Sequence, residues 1–420
     1  MVQSSASAAP ALRRRFARIV PIAFVTYSLA FLDRINFGFG VAGQMGRDLQ
    51  MSDRDSAAIS ASFFLGYFLF QIPGASYASK YSAKRLVFWA LILWGGFSAL
   101  TGLVHTVPLL LVVRFLLGAI EGVVMPAMLV YLTHWFTKSE RSRANTFLIL
   151  GNPVTLLWAS AISGYLVQAF GWRTMFVMEG LPSIIWAFVW WRTVDDHPRE
   201  ARWLDAADAA GLHEALEREQ QALAPVKHYA AAFRDPRVWL LCGQLFFWSV
   251  GLYGLVLWLP KILHEASRYG NGLVGLLAAA PYLCGVILML INSTLADRTG
   301  DRRRFVWPFL FMGAAVFFLS YALGAERFWP AYACLVLAGG CIFAGYGPFF
   351  AIVPEIIPRN AAGESMALIN SCGALGGFAG TFLIGWLNAT TGGPTAGFLT
   401  LSISLALAGA CMLCVRIRRA

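Results

Sequence analysis

Leu32-Asp33-Arg34-Ile35-Asn36-Phe37-Gly38 sets an acid beside a base inside an apolar run that extends from about Ile19 to Met45. Such a run is long enough to cross a bilayer as a helix, which takes about 20 apolar residues. A charged side chain at membrane depth costs about 2.5 kcal/mol or more, so ionisable groups there face a polar cavity or one another. Asp33 and Arg34 are therefore the first functional candidates.

Working outward, composition points to the same class. Of 420 residues, 58% are hydrophobic and only 13% charged, with 15 Trp; a soluble domain has no use for so much apolar surface, whereas a polytopic helical membrane protein does. Hydropathy marks eleven further spans, at roughly 56–79, 84–104, 108–131, 142–168, 174–194, 237–263, 272–296, 305–323, 328–350, 361–387 and 395–415. Between the sixth and seventh of the twelve lies one long polar stretch, Asp195 to Pro236, whose middle predicts a short amphipathic helix on the membrane surface. The expected architecture is an all-α membrane protein. A six-helix bundle over 1–194 is joined by a linker over 195–236 to a second bundle over 237–420.

The net charge of +11 would suit nucleic acid if the basic residues clustered. Instead, 25 of the 33 Lys and Arg fall on one alternating set of loops and tails and 6 on the other, while Arg34 and Arg114 lie within spans. That bias predicts cytoplasmic termini and leaves no surface for nucleic acid. Arg13, Arg14, Arg15 and Arg18 precede an apolar run too long for a signal peptide, so the first span is expected to stay in place. All seven Cys lie in the second half, mostly in apolar runs. They read as small packing residues rather than metal ligands, since Cys411-x-x-Cys414 has no second pair or His cluster. No metal or organic cofactor is expected.

The two halves are related. Residues 292–303, after the eighth span, align at an offset of 218 with residues 74–85 after the second, and 385–392 align at an offset of 221 with 164–171. Parallel six-helix repeats suit a transporter that rocks one half against the other around a midplane site.

Several motifs carry a family resemblance. Asp297-Arg298-x-Gly300-x-Arg302-Arg303, repeated in weaker form from Ser79 to Arg85, resembles the cytoplasmic-loop signature of the major facilitator superfamily. Leu32-Asp33-Arg34-Ile-Asn36, Arg114-Phe-Leu-Leu-Gly118-x-x-Glu121-Gly-x-x-x-Pro126 and Pro198-x-x-Ala201-x-Trp203-Leu204 resemble its anion:cation symporter branch. That branch includes bacterial permeases for sugar acids, tartrate, phthalate and hydroxyphenylacetate. The resemblance covers nearly the whole chain. It implies the major facilitator fold, a bacterial-type inner membrane, a monomer, alternating access, and import of a small organic anion with protons as the coupling ion. Ser79, Lys80, Arg85, Asp297, Arg298 and Arg302 then occupy the gating loops. Ser79 and Ser82 stand where the family has Asp and Gly, so either the first gate is held differently or its loop tolerates the change.

Arg114 and Glu121 are seven residues apart on the fourth span, about 20° short of two full turns, so both project from one face. Two acids and two bases thus enter one half. Either they neutralise one another as structural ion pairs, or they divide the work of transport. On the second reading Arg34, with Arg114 as a further candidate, offers a planar fork for a carboxylate. Asp33 and Glu121 carry protons, because an acid in a low-dielectric site can hold a proton at neutral pH. Tyr67 and Gln71 share a face of the second span, as do Asn145 and Asn152 on the fifth. The resemblance implies that Tyr67 and Asn152 donate hydrogen bonds to substrate; packing between helices is the competing reading. From the second half, Tyr253, Trp258, Asn370 and Ser371 are candidates to close the site.

Other features read as bland. Glu179 and Glu355 fall towards span ends and are expected to reach a wet interface, as are His105, His134 and His264. The glycines from Gly373 to Gly380 form no phosphate loop and suit close helix packing. A drug:proton antiporter is disfavoured because Gly151-Asn152-Pro153 runs into Val154-Thr155-Leu156 without a Gly-rich continuation. An embedded enzyme lacks a nucleophile-base pair or nucleotide loop. An anion exchanger or facilitator without proton coupling, and a non-transporting membrane sensor, are the remaining alternatives.

Overall fold

The computed structural model describes residues 4–221, 236–299, 301–356, 362–391 and 395–415, and the regular structure among them is entirely helical. Large apolar side chains such as Leu93, Ile185, Phe188, Leu276, Leu290 and Ile403 point outward. Water would penalise that surface, whereas lipid tails solvate it, and helices satisfy their own backbone within hydrocarbon.

Among the described residues, eleven helices are long and apolar enough to span, and one of them is double. Lys138–Thr193 breaks at Gly171, whose φ of 78° suits a residue without Cβ. The fifth and sixth spans meet there, so twelve crossings result. The first span runs Ser4–Gly40 and ends in a wide turn at Val41–Met45. The second is Asp53–Lys80, the third Ala83–Thr101, and the fourth Val107–Gly122 continued by Val124–Trp135. The seventh is Pro236–Ser267 and the eighth Asn271–Thr299. The ninth is Trp307–Leu323, the tenth Phe328–Ala344 continued by Tyr346–Ile356, the eleventh Ala362–Thr391 and the twelfth Thr395–Cys414. Local chemistry sets several ends: Ser52 and Asp55 cap the second span reciprocally, Ser82 caps the third, and Pro108 opens the fourth.

Within the first half, the first span packs on the fifth–sixth hairpin, the second on the fourth, and the third on the hairpin. Within the second, the seventh packs on the eleventh and twelfth, the eighth on the tenth, and the ninth on the tenth and twelfth. The halves then meet mainly along two seams, eighth against fifth–sixth and eleventh against second, with the seventh also against the first and, near the face opposite the linker, the second. At the face opposite the linker these seams are tight. A Cβ on Gly164 would lie 2.6 Å from the Asn271 carbonyl, and one on Gly38 would lie 2.7 Å from that of Leu257. The Gly272 amide donates to Gln168 Oε1 at 2.6 Å, and Lys261 pairs with Asp53. Backbone-to-backbone packing of this kind closes the far face.

At the linker face, the serine that replaces the family's glycine has a visible role. Ser82 accepts from the Arg85 amide and donates to Asp196, whose other oxygen takes the Lys84 amide at 2.9 Å. Trp190 donates to the Lys84 carbonyl and Trp135 to that of Asp195. The linker therefore starts clamped to the loop between the second and third spans. Pro198, Ala201 and Leu204 are buried and Trp203 stacks on Trp135 at 5.3 Å, so this motif docks the linker on the first bundle. The helix Ala206–Gln221 follows, where an amphipathic segment is expected.

Candidate functional site

Between the halves lies a small cavity. Tyr27, Phe31, Arg34, Tyr67 and Asn152 line it from the first half, and Ser249, Tyr253, Tyr346 and Asn370 from the second. Arg34 is its charged centre. Its Nε and Nη2 donate to one oxygen of Glu121 at 2.9 and 2.7 Å, while Nη1 donates across the cavity to Tyr253 Oη at 2.9 Å. Phe31 and Tyr67 lie against the guanidinium, at 4.2 and 4.6 Å from their ring centres. Aromatic faces stabilise a cation without neutralising it. The second oxygen of Glu121 is buried and has no hydrogen-bond partner.

Asp33 points elsewhere, because consecutive helical residues project about 100° apart. Its Oδ1 accepts from Ser98 Oγ and from Asn36 Nδ2, the latter at 2.9 Å. Arg114 faces it, donating from Nη2 to the Asp33 carbonyl at 3.2 Å between the rings of Phe37 and Phe63. Asp33 and Arg114 are each only 2% exposed, and Arg114 does not line the cavity. Of the four charged residues only Arg34 lines the cavity; Glu121, 1% exposed, holds it from behind the wall, and Arg114 meets Asp33 deeper in, through the Asp33 backbone carbonyl.

Among the other candidates, Tyr67, Asn152, Tyr253 and Asn370 are brought together around the cavity. Gln71 lies behind the wall and accepts from Asn370 Nδ2 at 2.8 Å, which joins the halves on the linker side of the cavity. Ser371 is buried off the wall, and Trp258 sits near the far face against Lys261 and Gly385. Of the gating-loop residues, Ser79, Lys80, Arg85 and Arg298 are exposed, and Arg302 opens a short helical turn, Arg302–Phe305. The next residue, Arg303, donates to the Leu413 carbonyl. The side chains of Asp297 and Glu355 lie outside the described residues.

Two kinds of residue escape the sequence reading. Tyr27 stands seven positions before Arg34, hence on its face, and shares the cavity with Asn152; helical spacing alone could have found it. Glu179 corrects an expectation. It does not reach a wet interface: it is 4% exposed and accepts from Ser163 Oγ at 2.7 Å. Ser163 and Glu179 stand equally far from Gly171, so the hairpin places them level, a relation visible only once the turn is located.

The chain matches the model described as Major Facilitator Superfamily over residues 23–381. A putative tartrate transporter of Agrobacterium vitis is 32% identical over 393 residues, covering 92% of this chain and 87% of that protein. A quinolone resistance transporter of Acinetobacter baumannii is 29% identical over 394 residues, covering 92% and 90%. Among solved structures, the inward open xylose transporter XylE from E. coli aligns with a TM-score of 0.76 at 15% identity, covering 96% of each chain. At that identity the likeness concerns fold alone.

Proposed function

The chain belongs to the Major Facilitator Superfamily, an integral membrane transporter of a small molecule, and from that premise we propose that it imports a small organic carboxylate by proton symport. A sugar acid or a related hydroxy or aromatic acid fits best. The observation that carries the reading is Arg34, held in the cavity wall through a single oxygen of Glu121 and bonded to Tyr253 of the opposite half.

The chemistry is a competition for one guanidinium. While Glu121 is ionised it neutralises Arg34 and an incoming anion gains little. A proton on Glu121 removes that charge, and a substrate carboxylate takes the fork in its place. Net charge around Arg34 is the same before and after, which keeps loading inexpensive in a low-dielectric site. Loss of the proton on the other side lets Glu121 recapture Arg34 and expel the anion. Tyr27, Tyr67 and Asn152 offer hydrogen bonds to substrate hydroxyls, and the ring faces accept an aromatic acid. Asp33, opposite Arg114, is the second proton carrier. Because Tyr253 and Asn370 belong to the other half, binding draws the halves together, as alternating access requires. Support for the substrate class comes from the relative named a putative tartrate transporter, and the cation bias supports cytoplasmic termini in a bacterial-type inner membrane.

Proteoliposomes with radiolabelled tartrate as probe test the reading. Wild type should accumulate tartrate when the outside is acidic, with affinity rising as pH falls. Glu121→Gln should exchange tartrate across the membrane yet fail to accumulate it. Undiminished accumulation by that variant would remove Glu121 from coupling, and wild-type exchange without accumulation would favour an exchanger.

A further inference from the structure

Glu179 is buried in the first half with no ion-pair partner among the described residues, although Arg34 and Arg114 attend the other two intramembrane acids of that half. Ser163 donates to its Oε1, and Oε2 has no partner. Asn36 stands between Glu179 and Asp33. Its Nδ2 donates to Asp33, its side chain also reaches Glu179, and its Oδ1 is fully buried without a donor. These two neighbouring side chains thus carry two orphaned acceptors, one of them a carboxyl oxygen, and are short of a hydrogen. An ionised Glu179 here would be an uncompensated charge, among the costliest things to bury. Protonated, it gains an O–H that one of these acceptors can take.

Resting on the symport reading above, we propose that Glu179 is a further proton-carrying site, linked through Asn36 to Asp33. Depth supplies the direction. Glu179 stands eight residues into the sixth span from Gly171, about 12 Å along the helix from the far face, and Asn36 stands one turn nearer that face than Asp33. A proton entering from the far side therefore meets Glu179 first, then Asn36, then Asp33 opposite Arg114. The remaining charged groups near this path are committed elsewhere. Arg173 donates to the Gly102 and Val104 carbonyls and lies 3.2 Å from His105, Asp48 accepts from Trp172, and Glu121 holds Arg34. In the far-face-closed conformation the site is sealed, so its proton is stored; opening that face exposes it to exchange.

Two measurements decide the matter. In proteoliposomes, the slope of log tartrate accumulation against the pH gradient should fall by one in Glu179→Gln relative to wild type, with exchange retained. An equal slope in the two overturns the site, a slope set by a sodium gradient overturns the proton, and a zero slope in wild type refutes the symport reading instead. The second measurement needs no substrate. Infrared spectra of the purified wild type should show a protonated-carboxyl band at neutral pH that Glu179→Gln lacks and that Ser163→Ala shifts. Should the glutamine variant not fold, an unshifted band in Ser163→Ala refutes the assignment, as does the absence of the band from wild type.

Discussion

The two arginine–acid pairs of the first half look alike in sequence and differ in surroundings. Arg34 lines the cavity and donates two hydrogen bonds to Glu121 buried behind it, with a third bond reaching the opposite half. Arg114 lies sealed between the rings of Phe37 and Phe63 and donates to the Asp33 backbone carbonyl, while the Asp33 carboxylate takes Ser98 and Asn36. A pair that borders a cavity can be opened by a competing anion; a sealed pair can be changed only by a proton. On the proposed function, the difference assigns substrate chemistry to Arg34 and to Arg114 a charge balance that makes Asp33 responsive to protonation.

The largest effect should come from breaking the sealed pair. Arg114→Leu leaves the buried Asp33 carboxylate without the guanidinium that faces it, which costs at most the ~3–5 kcal/mol of a broken direct ion pair. Thermal unfolding in detergent should show a marked loss of Tm at alkaline pH. The sign with pH is fixed, since a proton on Asp33 removes the unpaired charge; Tm should therefore recover as pH falls. A pH-independent loss would mean that packing of the Arg114 stem, rather than its charge, is what matters.

Arg34→Lys breaks the other pair differently. Lysine keeps the charge but loses the planar fork, a matter of about 1.5–3 kcal/mol, or roughly ten- to a hundredfold in affinity. Tartrate binding by calorimetry should weaken accordingly while Tm stays near wild type. If Tm fell as far as in Arg114→Leu and affinity did not change, the contrast between the two pairs would collapse.

How much of this was legible follows from what each feature depends on. The twelve spans rest on hydropathy and cation bias, which act locally, so they read directly from the chain; even the doubled helix Lys138–Thr193 is divided by one glycine that sequence already displays. The seven-residue spacing of Arg114 and Glu121 likewise sets both on one face. Partner choice was not legible. That Glu121 takes Arg34 while Arg114 faces Asp33 depends on the relative rotation of two helices, which no periodicity within either one determines. Glu179 escapes the sequence for the same reason: nearness to a span end says nothing of whether neighbouring helices cover it. Ser82 is the converse case. A departure from the family pattern is absorbed by Asp196, more than a hundred residues away, through a contact that only the docked linker creates.

The smallest effect should come from Tyr253→Phe, and it is the finest probe of the cavity pair. The phenolic oxygen accepts from Arg34, and the ring packs on Phe64 at 4.6 Å. Phenylalanine keeps the ring contact and removes only the bond across the halves. Because the group borders a polar cavity, the net loss is about 1 kcal/mol, roughly fivefold. That bond exists only while the halves are closed around Arg34, so its loss should appear in tartrate affinity and exchange rate rather than in Tm. The reverse pattern, with Tm lowered and affinity intact, would make Tyr253 a packing residue and leave Arg34 bonded within its own half alone.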